Sequence, residues 1–286
     1  MRSLLLDIYN GLNNVYSGWI AWNLFLAFIP MLLSFRLFRS TVISPRQFQL
    51  AWLLTGAIGF IGISARLHRI KSSLSGSWNV LQMGGAKVMV QLAWLGLVVA
   101  VVLVTSVWFS RQTTLSKSGR WLLGLAIFIA FLPNAPYVLT DVIHLIRGTS
   151  YGEIRVWVVA LVFIPLHMLA MLIGFEAYVT SLINLNYFLK HKHLSQWILP
   201  SELGLHALCA LGIYLGRFAR LNSWDLLIDP TSILAITLNT LTSKRPLAVI
   251  VVTFMILTIF YWVMKQVTLG LKLRVEYARK GLDVLS

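Results

Sequence analysis

Four polar side chains recur at helical spacing where an apolar stretch meets two prolines. They are Asn134, Tyr137, Asp141 and His144, separated by three, four and three positions. A continuing helix would carry them on one face. Pro133 and Pro136 lack an N–H and crowd the preceding turn, so we predict a kink here. Either this kinked helix lines a site, or its polar groups only satisfy freed backbone carbonyls and meet water at the helix end.

A second polar group contains two arginines one helical turn apart. Arg217 and Arg220 could jointly hold a phosphate or a carboxylate, since each guanidinium presents paired N–H donors. Three polar or interfacial residues follow them, Asn222, Trp224 and Asp225. The alternative is structural: the arginines extend to the membrane surface, Asp225 neutralises one of them, and the other residues cap a helix or anchor it at the interface.

Two histidines, His167 and His206, lie near the middle of neighbouring apolar stretches. Antiparallel packing would bring them to a similar depth, where two histidines can ligate a haem and one can ligate another tetrapyrrole. The alternative is a pair of buried histidines hydrogen-bonded across helices. Because no ligand-spacing motif surrounds them, we predict neither a metal site nor a cofactor, and keep a tetrapyrrole as the alternative. Glu202 and Cys209 share a helix face with His206, and Glu202 can pair with it locally.

Motifs of several enzyme classes are absent from the sequence, which has no Gly-rich phosphate loop, no His-Glu-x-x-His and no Gly-x-Ser-x-Gly. Asp141 and His144 could still act as acid and base in an intramembrane reaction, because three positions on a helix bring them close. We therefore expect a protein without enzymatic activity and keep intramembrane catalysis as an alternative.

The composition requires a membrane around these residues. Hydrophobic residues make up 58% of the 286 positions and charged residues only 12%, far from the balance of a soluble domain. Several stretches approach the roughly 20 residues needed to cross about 30 Å of hydrocarbon. They are long and do not alternate, so we predict an all-α bundle of transmembrane helices.

We predict six to eight membrane segments in a single integral membrane domain, residues 1–286. Six spans are predicted at 17–35, 88–109, 121–140, 156–183, 199–216 and 247–269. A seventh at 50–63 is short and glycine-rich, so it is either a helix that starts near Gln47 or a re-entrant segment. The segment 224–241 carries two aspartates and is interrupted by Pro230, which favours an interfacial or partly inserted helix.

The net charge of +15 comes from 24 Lys and Arg residues scattered among the segment ends. This scatter favours anionic lipid headgroups as partners rather than nucleic acid, and other membrane proteins remain candidate partners. The Lys and Arg bias hardly decides orientation, because both sides receive nearly equal numbers. The basic tail from Lys265 to Lys280 is our reason for placing the carboxyl terminus in the cytoplasm.

The chain resembles a family of bacterial and archaeal multi-pass membrane proteins known as domain of unknown function 1361. Three segments carry the resemblance: Trp22-Asn-Leu-Phe-Leu-Ala-Phe-Ile-Pro30, Phe131-Leu-Pro-Asn-Ala-Pro-Tyr137 with Thr140, Asp141 and His144, and Gly216-Arg-Phe with Arg220-Leu-Asn-Ser-Trp-Asp225. It covers most of the chain except residues 40–117. The resemblance implies location in a cell membrane of bacterial type and brings no activity. It joins eight residues into one hypothetical site: Asn23, Asn134, Asp141, His144, Arg217, Arg220, Asn222 and Asp225.

We therefore interpret the chain as a membrane protein that binds a small anionic or lipid-like ligand, or moves it across the bilayer. The candidate ligand-binding residues are Asn23, Asn134, Tyr137, Asp141, His144, Arg217, Arg220, Asn222, Trp224 and Asp225. One alternative is a structural or assembly factor whose polar residues only fix the packing of its helices. The other is an intramembrane enzyme acting on a lipid-linked substrate.

Overall fold

The computed structural model describes residues 18–64, 117–149, 155–219 and 230–281, with the backbone alone at 117–118, 147–148 and 230–235. Regular structure in these ranges is helical, without a strand. Six helical stretches of the described ranges are long and apolar enough to cross a membrane. Each helix satisfies its own backbone polar groups, as hydrocarbon requires. The chain is therefore a multi-pass membrane protein with an all-α fold, as its composition predicts.

Eight helices of eight or more residues lie in the described ranges. They are α1 (Trp19–Phe38), α2 (Pro45–Ser64), α3 (Lys117–Phe131), α4 (Val142–Thr149), α5 (Ile164–His191), α6 (Ile198–Arg217), α7 (Pro230–Thr242) and α8 (Lys244–Arg279). A short helix, Asn134–Tyr137, and a 3₁₀ turn, Val138–Asp141, join α3 to α4. A π-helical turn, Val159–Phe163, precedes α5.

The helices α1, α3, α4 and α5 lie side by side, and their ring contacts give their directions. Helices α1 and α5 run the same way, since Trp19 packs on His167 and Phe38 packs on Phe188. The interrupted span of α3 and α4 runs the other way, because α3 contacts Phe38 while His144 of α4 packs on Trp19. The start of α1, the start of α5 and the end of α4 therefore share one end of the bundle.

Helix α6 runs antiparallel to α5, because Tyr178 lies beside His206 and Asn186 beside Glu202. The last residue of α6, Arg217, consequently lies at the same end as Trp19. We call this end of the bundle proximal and the opposite end distal. The predicted spans 17–35, 121–140, 156–183, 199–216 and 247–269 are confirmed as membrane-length helices, while 88–109 lies outside the described residues.

Helix α2 is long and apolar enough to cross a membrane, so the alternative of a seventh helix that starts near Gln47 is confirmed and the re-entrant alternative is wrong. Its glycines do not end the helix, and two of them, Gly59 and Gly62, face α1. A Cβ added at Gly62 would lie 2.6 Å from the backbone nitrogen of Trp22, and one at Gly59 would lie 2.7 Å from the ring of Phe25. Glycine thus permits the two backbones to approach closely, as small residues do in membrane helix pairs.

The described part of the segment predicted at 224–241 is helical throughout and belongs to helix α7. Pro230 is the first described residue of this helix, so the predicted interruption at this proline stays a prediction. Its 13 residues extend about 20 Å at 1.5 Å per residue, less than the roughly 30 Å of hydrocarbon. The more amino-terminal part of the predicted segment lies outside the described residues.

The apolar core lies where α3, α5 and α6 meet α1. Phe128, Tyr178, Leu182 and Ile213 are among its fully or almost fully buried side chains. The prolines that interrupt α3 pack into this core, since a Cβ added at Gly212 would lie 2.8 Å from the ring of Pro133. The kink therefore packs directly against α6 at Gly212, and the residues after it lie at the proximal end.

Candidate functional site

Six side chains from three spans meet at the proximal end and form what we call the arginine cluster. They are Asn23, Tyr137, Thr140, Asp141, His144 and Arg217. One comes from α1, four come from the interrupted span of α3 and α4, and one ends α6. The structure thus brings together five residues that the sequence analysis assigned to one site and adds Thr140.

An ion pair forms the centre of the arginine cluster. Arg217 Nη2 donates to Asp141 Oδ1 at 2.6 Å, and Asn23 Nδ2 donates to the other carboxylate oxygen at 2.6 Å. The side chain of Asp141 is 1% exposed and that of Arg217 is 12% exposed. Both carboxylate oxygens therefore have fixed donors, and the buried negative charge is balanced by a neighbouring positive one.

Thr140 fixes the orientation of the guanidinium. Its hydroxyl donates to the carbonyl of Tyr137 at 2.7 Å, which leaves its lone pairs to accept from Arg217. Arg217 Nε donates to it at 3.0 Å and Nη2 at 2.8 Å. The Thr140 hydroxyl thus bridges the backbone carbonyl of Tyr137 and the guanidinium of Arg217 by hydrogen bonds.

Aromatic rings complete the surroundings of Arg217. Its guanidinium carbon lies 4.4 Å from the centre of the Tyr137 ring, and its Nη1 lies 3.1 Å from Nε2 of His144. A guanidinium can only donate, so Nε2 accepts this hydrogen bond and carries no proton in this geometry. The ring of His144 in turn packs on Trp19 at 4.5 Å.

Asn134 lies outside the arginine cluster, although it was predicted on the same stripe. Its amide donates to the carbonyl of Phe131 at 3.1 Å, whose usual helical partner, the N–H of Ala135, bonds the carbonyl of Leu132 instead. This contact fits the alternative in which a polar side chain satisfies a free backbone carbonyl, and the role of the polar stripe in lining a site stays a prediction. Asn134 satisfies the backbone, while Tyr137, Asp141 and His144 face Arg217.

Four predicted site residues lie outside the described residues, so their predicted role stays a prediction. They are Arg220, Asn222, Trp224 and Asp225.

The two histidines considered as ligands of a tetrapyrrole lie at different depths. His167 packs on Trp19 at the proximal end, whereas His206 bonds Tyr178 at 2.5 Å. His167 and Tyr178 are eleven residues apart on α5, which corresponds to about 16 Å along the helix axis. The expectation of a similar depth is therefore wrong, and the two rings do not form one axial ligand pair.

A second polar group, which we call the glutamate cluster, lies toward the distal end. It consists of Asn186, Glu202, Tyr261 and Lys265. Glu202 Oε1 accepts from Lys265 Nζ at 2.6 Å, from Tyr261 Oη at 2.5 Å and from Asn186 Nδ2 at 2.5 Å. Glu202 therefore binds α5 and α8 rather than pairing with His206 as expected.

Three members of the glutamate cluster, and Thr140 as part of the arginine cluster, were not assigned to a site from the sequence. Tyr261 stands alone in an apolar stretch, Asn186 follows the predicted span that ends at residue 183, and Lys265 begins the basic tail. The signal for such a contact is a polar residue near the end of one predicted span together with another polar residue near the end of a neighbouring span. For Lys265 that signal was obscured by the basic residues that follow it.

Comparisons with known proteins support the resemblance to a family of unknown function. A model of the protein family described as protein of unknown function (DUF1361) matches residues 89–259, more than half of the chain. The match includes residues 89–117, which the resemblance was expected to exclude, and omits the segment from Trp22 to Pro30. Neither a curated protein nor a solved structure matches the chain. Arg217 and most of the arginine cluster lie within the matched range. Because the match covers more than half of its residues, the chain belongs to the DUF1361 family.

Proposed function

We propose that this membrane protein binds a small anionic or lipid-like ligand at the arginine cluster. The observation that carries the proposal is the fixed position of Arg217, which Thr140 and Asp141 hold from one side while it remains partly exposed. The contacts with Thr140, Asp141 and His144 use four of its five N–H hydrogens, so one hydrogen of Nη1 is left for a ligand.

The energetic cost of the ion pair supports a role beyond packing. Apolar side chains of similar size often stabilise a protein as well as a buried ion pair does, or better. Ionisable residues inside membrane spans are accordingly rare and tend to mark binding sites and ion pathways. Asp141 and Arg217 join α6 to the kinked span at a place where leucines would pack at lower cost, so retention of charge favours a function that needs it.

The ligand that best fits these groups carries a phosphate or a carboxylate. A guanidinium with a fixed plane recognises such groups by geometry as well as by charge. His144 accepts the other Nη1 hydrogen, which fixes this nitrogen and the direction of its remaining hydrogen. The cluster lies at the end of α6 and not at mid-membrane, so the headgroup of an anionic lipid can reach it laterally.

The test uses short-chain phosphatidic acid as the anionic probe and short-chain phosphatidylcholine as the neutral control. We expect phosphatidic acid to raise the thermal midpoint of the purified protein in neutral detergent more than phosphatidylcholine does. The extra rise should disappear in Arg217→Gln. It should persist in Arg39→Gln, because Arg39 also stacks on a tyrosine, Tyr187 at 4.6 Å, but lies at the distal end.

An equal rise in Arg217→Gln and in the wild-type protein would contradict the proposal. If Arg217→Gln fails to fold, Arg217→Lys replaces it, since lysine keeps the charge and loses the planar pair of donors. Arg217→Lys should then bind phosphatidic acid more weakly than Arg39→Lys does. Inorganic phosphate serves as a third probe and separates recognition of the phosphate from recognition of the acyl chains.

A structural or assembly role is the second candidate, and a specific observation favours it. Most donors of Arg217 are already used within the protein, and Asp141 is almost fully buried. If the cluster only fastens helices, an Arg217→Met, Asp141→Leu double variant should fold and keep the native partners that co-purify with it. Both oxygens of Asp141 already accept from fixed donors, so we do not extend the proposal to intramembrane catalysis by Asp141 and His144.

A further inference from the structure

A carboxyl group lies near mid-height of the bundle, outside both clusters. Glu176 belongs to α5, and the parallel alignment of α5 with α1 places it level with the middle of α1. That alignment follows from the hydrogen bond between Asn184 and Ser34 and from the packing of His167 on Trp19. Glu176 therefore lies near the middle of the membrane-length stretch Val156–His191, where an isolated ionised carboxylate is very costly.

The neighbours of Glu176 are hydroxyl groups. Thr268 Oγ1 of α8 lies 2.9 Å from Oε1 and 3.0 Å from Oε2, and Thr180 Oγ1 lies 3.3 Å from Oε1. The same Thr268 hydroxyl lies 2.8 Å from the carbonyl of Met264. Hydroxyls can stabilise a carboxylate by donating to it, but they do not balance its charge.

The cations of the packed helices are engaged elsewhere. Lys265, one turn before Thr268 on α8, binds Glu202 at 2.6 Å. Lys272, one turn after Thr268, is exposed and pairs with Glu276 at 3.6 Å. The remaining titratable groups near this level are neutral in their usual forms: Tyr178 on α5, His206 and Cys209 on α6 and Tyr261 on α8.

The hydroxyl geometry accommodates a proton on Glu176. Thr268 has one hydroxyl hydrogen but two kinds of acceptor within reach, the Met264 carbonyl and the carboxyl oxygens. When Glu176 carries a proton, its O–H donates to Thr268 Oγ1, and the Thr268 hydroxyl donates to Met264. The hydrogen bonds from Glu176 to Thr268 and from Thr268 to Met264 are then both formed, and no net charge is present at this site.

We propose that Glu176, with Thr268 and Thr180, forms a proton-binding site in the middle of the membrane. The site adds an acid between α5 and α8 that can take up and release one proton. It is independent of the arginine cluster, which lies about nine residues closer to the start of α5, or about 14 Å away along its axis. Proton uptake at this depth would give the protein a response to pH or to the membrane potential.

The test is labelling of the purified protein by dicyclohexylcarbodiimide, followed by peptide mass spectrometry. A carbodiimide reacts with a carboxylic acid by taking its proton, and an apolar carbodiimide partitions into the membrane-facing interior. We expect Glu176 to be labelled, with a rate that falls about tenfold for each pH unit above its midpoint, as for a single protonation. Glu276 provides the matched control, because it is an exposed carboxylate on α8 and should not be labelled by this reagent.

Three variants test whether the label reports protonation of Glu176. Glu176→Gln should abolish the label at this site while leaving the protein folded, since an amide keeps the size and the hydrogen-bonding oxygen. Thr268→Val should shift the midpoint of the pH profile, and Thr268→Ser should restore it. A folded protein in which Glu176 stays unlabelled from about pH 5 to about pH 9 would overturn the proposal. Protection by sodium ions at constant pH would also overturn it, because the site would then bind a metal cation and not a proton.

Discussion

At the scale of single side chains, Asp141 accepts hydrogen bonds from two different helices. Asn23 reaches it from α1 and Arg217 from α6, so three spans depend on one carboxylate. Such an arrangement has an asymmetric response to mutation. Removing one charge leaves the other buried without a partner, which is costly. Removing both charges changes only how well the substituted side chains pack.

This asymmetry gives a prediction for the pair. Arg217→Met or Asp141→Leu alone should destabilise the protein by about 3–5 kcal/mol, because an uncompensated charge stays buried. The double variant should be more stable than either single variant. Thermal midpoints in one detergent measure the difference, and additive losses would show that the two charges act independently.

The glutamate cluster offers a milder change at the same scale. Tyr261→Phe removes a hydroxyl that donates to Glu202 but keeps the ring between His206 and Tyr178. We expect a loss of about 1–3 kcal/mol, as for a hydrogen bond to a charged group. Tyr277→Phe is the control, since Tyr277 is exposed near the end of the same helix. Equal midpoints for the two variants would mean that the hydroxyl of Tyr261 contributes little.

At the scale of elements, close packing of α1 on α2 depends on individual glycines. Gly62→Ala would place a Cβ against the backbone of Trp22, which cannot move without moving α1. Gly56→Ala meets nothing within 4 Å and gains helix propensity worth about 1 kcal/mol. We therefore expect Gly62→Ala to lower the thermal midpoint and Gly56→Ala to keep or raise it. A reversed order would show that the helices are not held at this distance.

The sequence predicts elements better than it predicts their partners. Long apolar stretches identify α1, α5, α6 and α8, because hydrocarbon leaves a chain few alternatives to a helix. The glycines of α2 left a helix and a re-entrant segment both open, since glycine weakens an isolated helix but permits contact in a packed one. Whether a glycine ends a helix or faces a neighbour depends on the neighbour, and one sequence does not contain that information.

The same limit applies to the candidate site. The steps of three and four between Tyr137, Asp141 and His144 predict a shared face, and the structure places all three around Arg217. The spacing could not show that Asn134 would turn to the backbone of Phe131, because that depends on the local shape of the kink. Glu202 shows the limit at long range, since its partner Lys265 lies 63 residues further along the chain.

At the scale of the whole molecule, the helix directions predict which loops share a side of the membrane. The connections after α1 and after α5 both lie at the distal end, whereas α5 is entered from the proximal end. In a Cys209→Ala background, which removes the one cysteine of the chain, Thr41→Cys and His193→Cys should therefore react from the same side. Val156→Cys, at a strongly exposed position, should react from the opposite side.

Labelling with a membrane-impermeant maleimide on intact and on opened cells measures this arrangement. Reaction of Thr41→Cys and Val156→Cys from one side would refute the order of the helices. The result would also fix the orientation, which the distribution of Lys and Arg leaves undecided. The placement of the carboxyl terminus in the cytoplasm stays a prediction until then.

The π-helical turn at Val159–Phe163 has a consequence for the lengths of related chains. A π turn holds one more residue than an α-helical turn of the same height, so it shifts the angular phase of everything on its amino-terminal side. Deleting one residue there would rewind the turn and swing Val158, now completely buried, by about 100° around the helix axis. His167 and the rest of α5 would keep their present orientation around the helix axis. A relative one residue shorter at this point must therefore bury a different side chain next to Trp19, and an alignment that places the gap elsewhere would pair residues that face different directions.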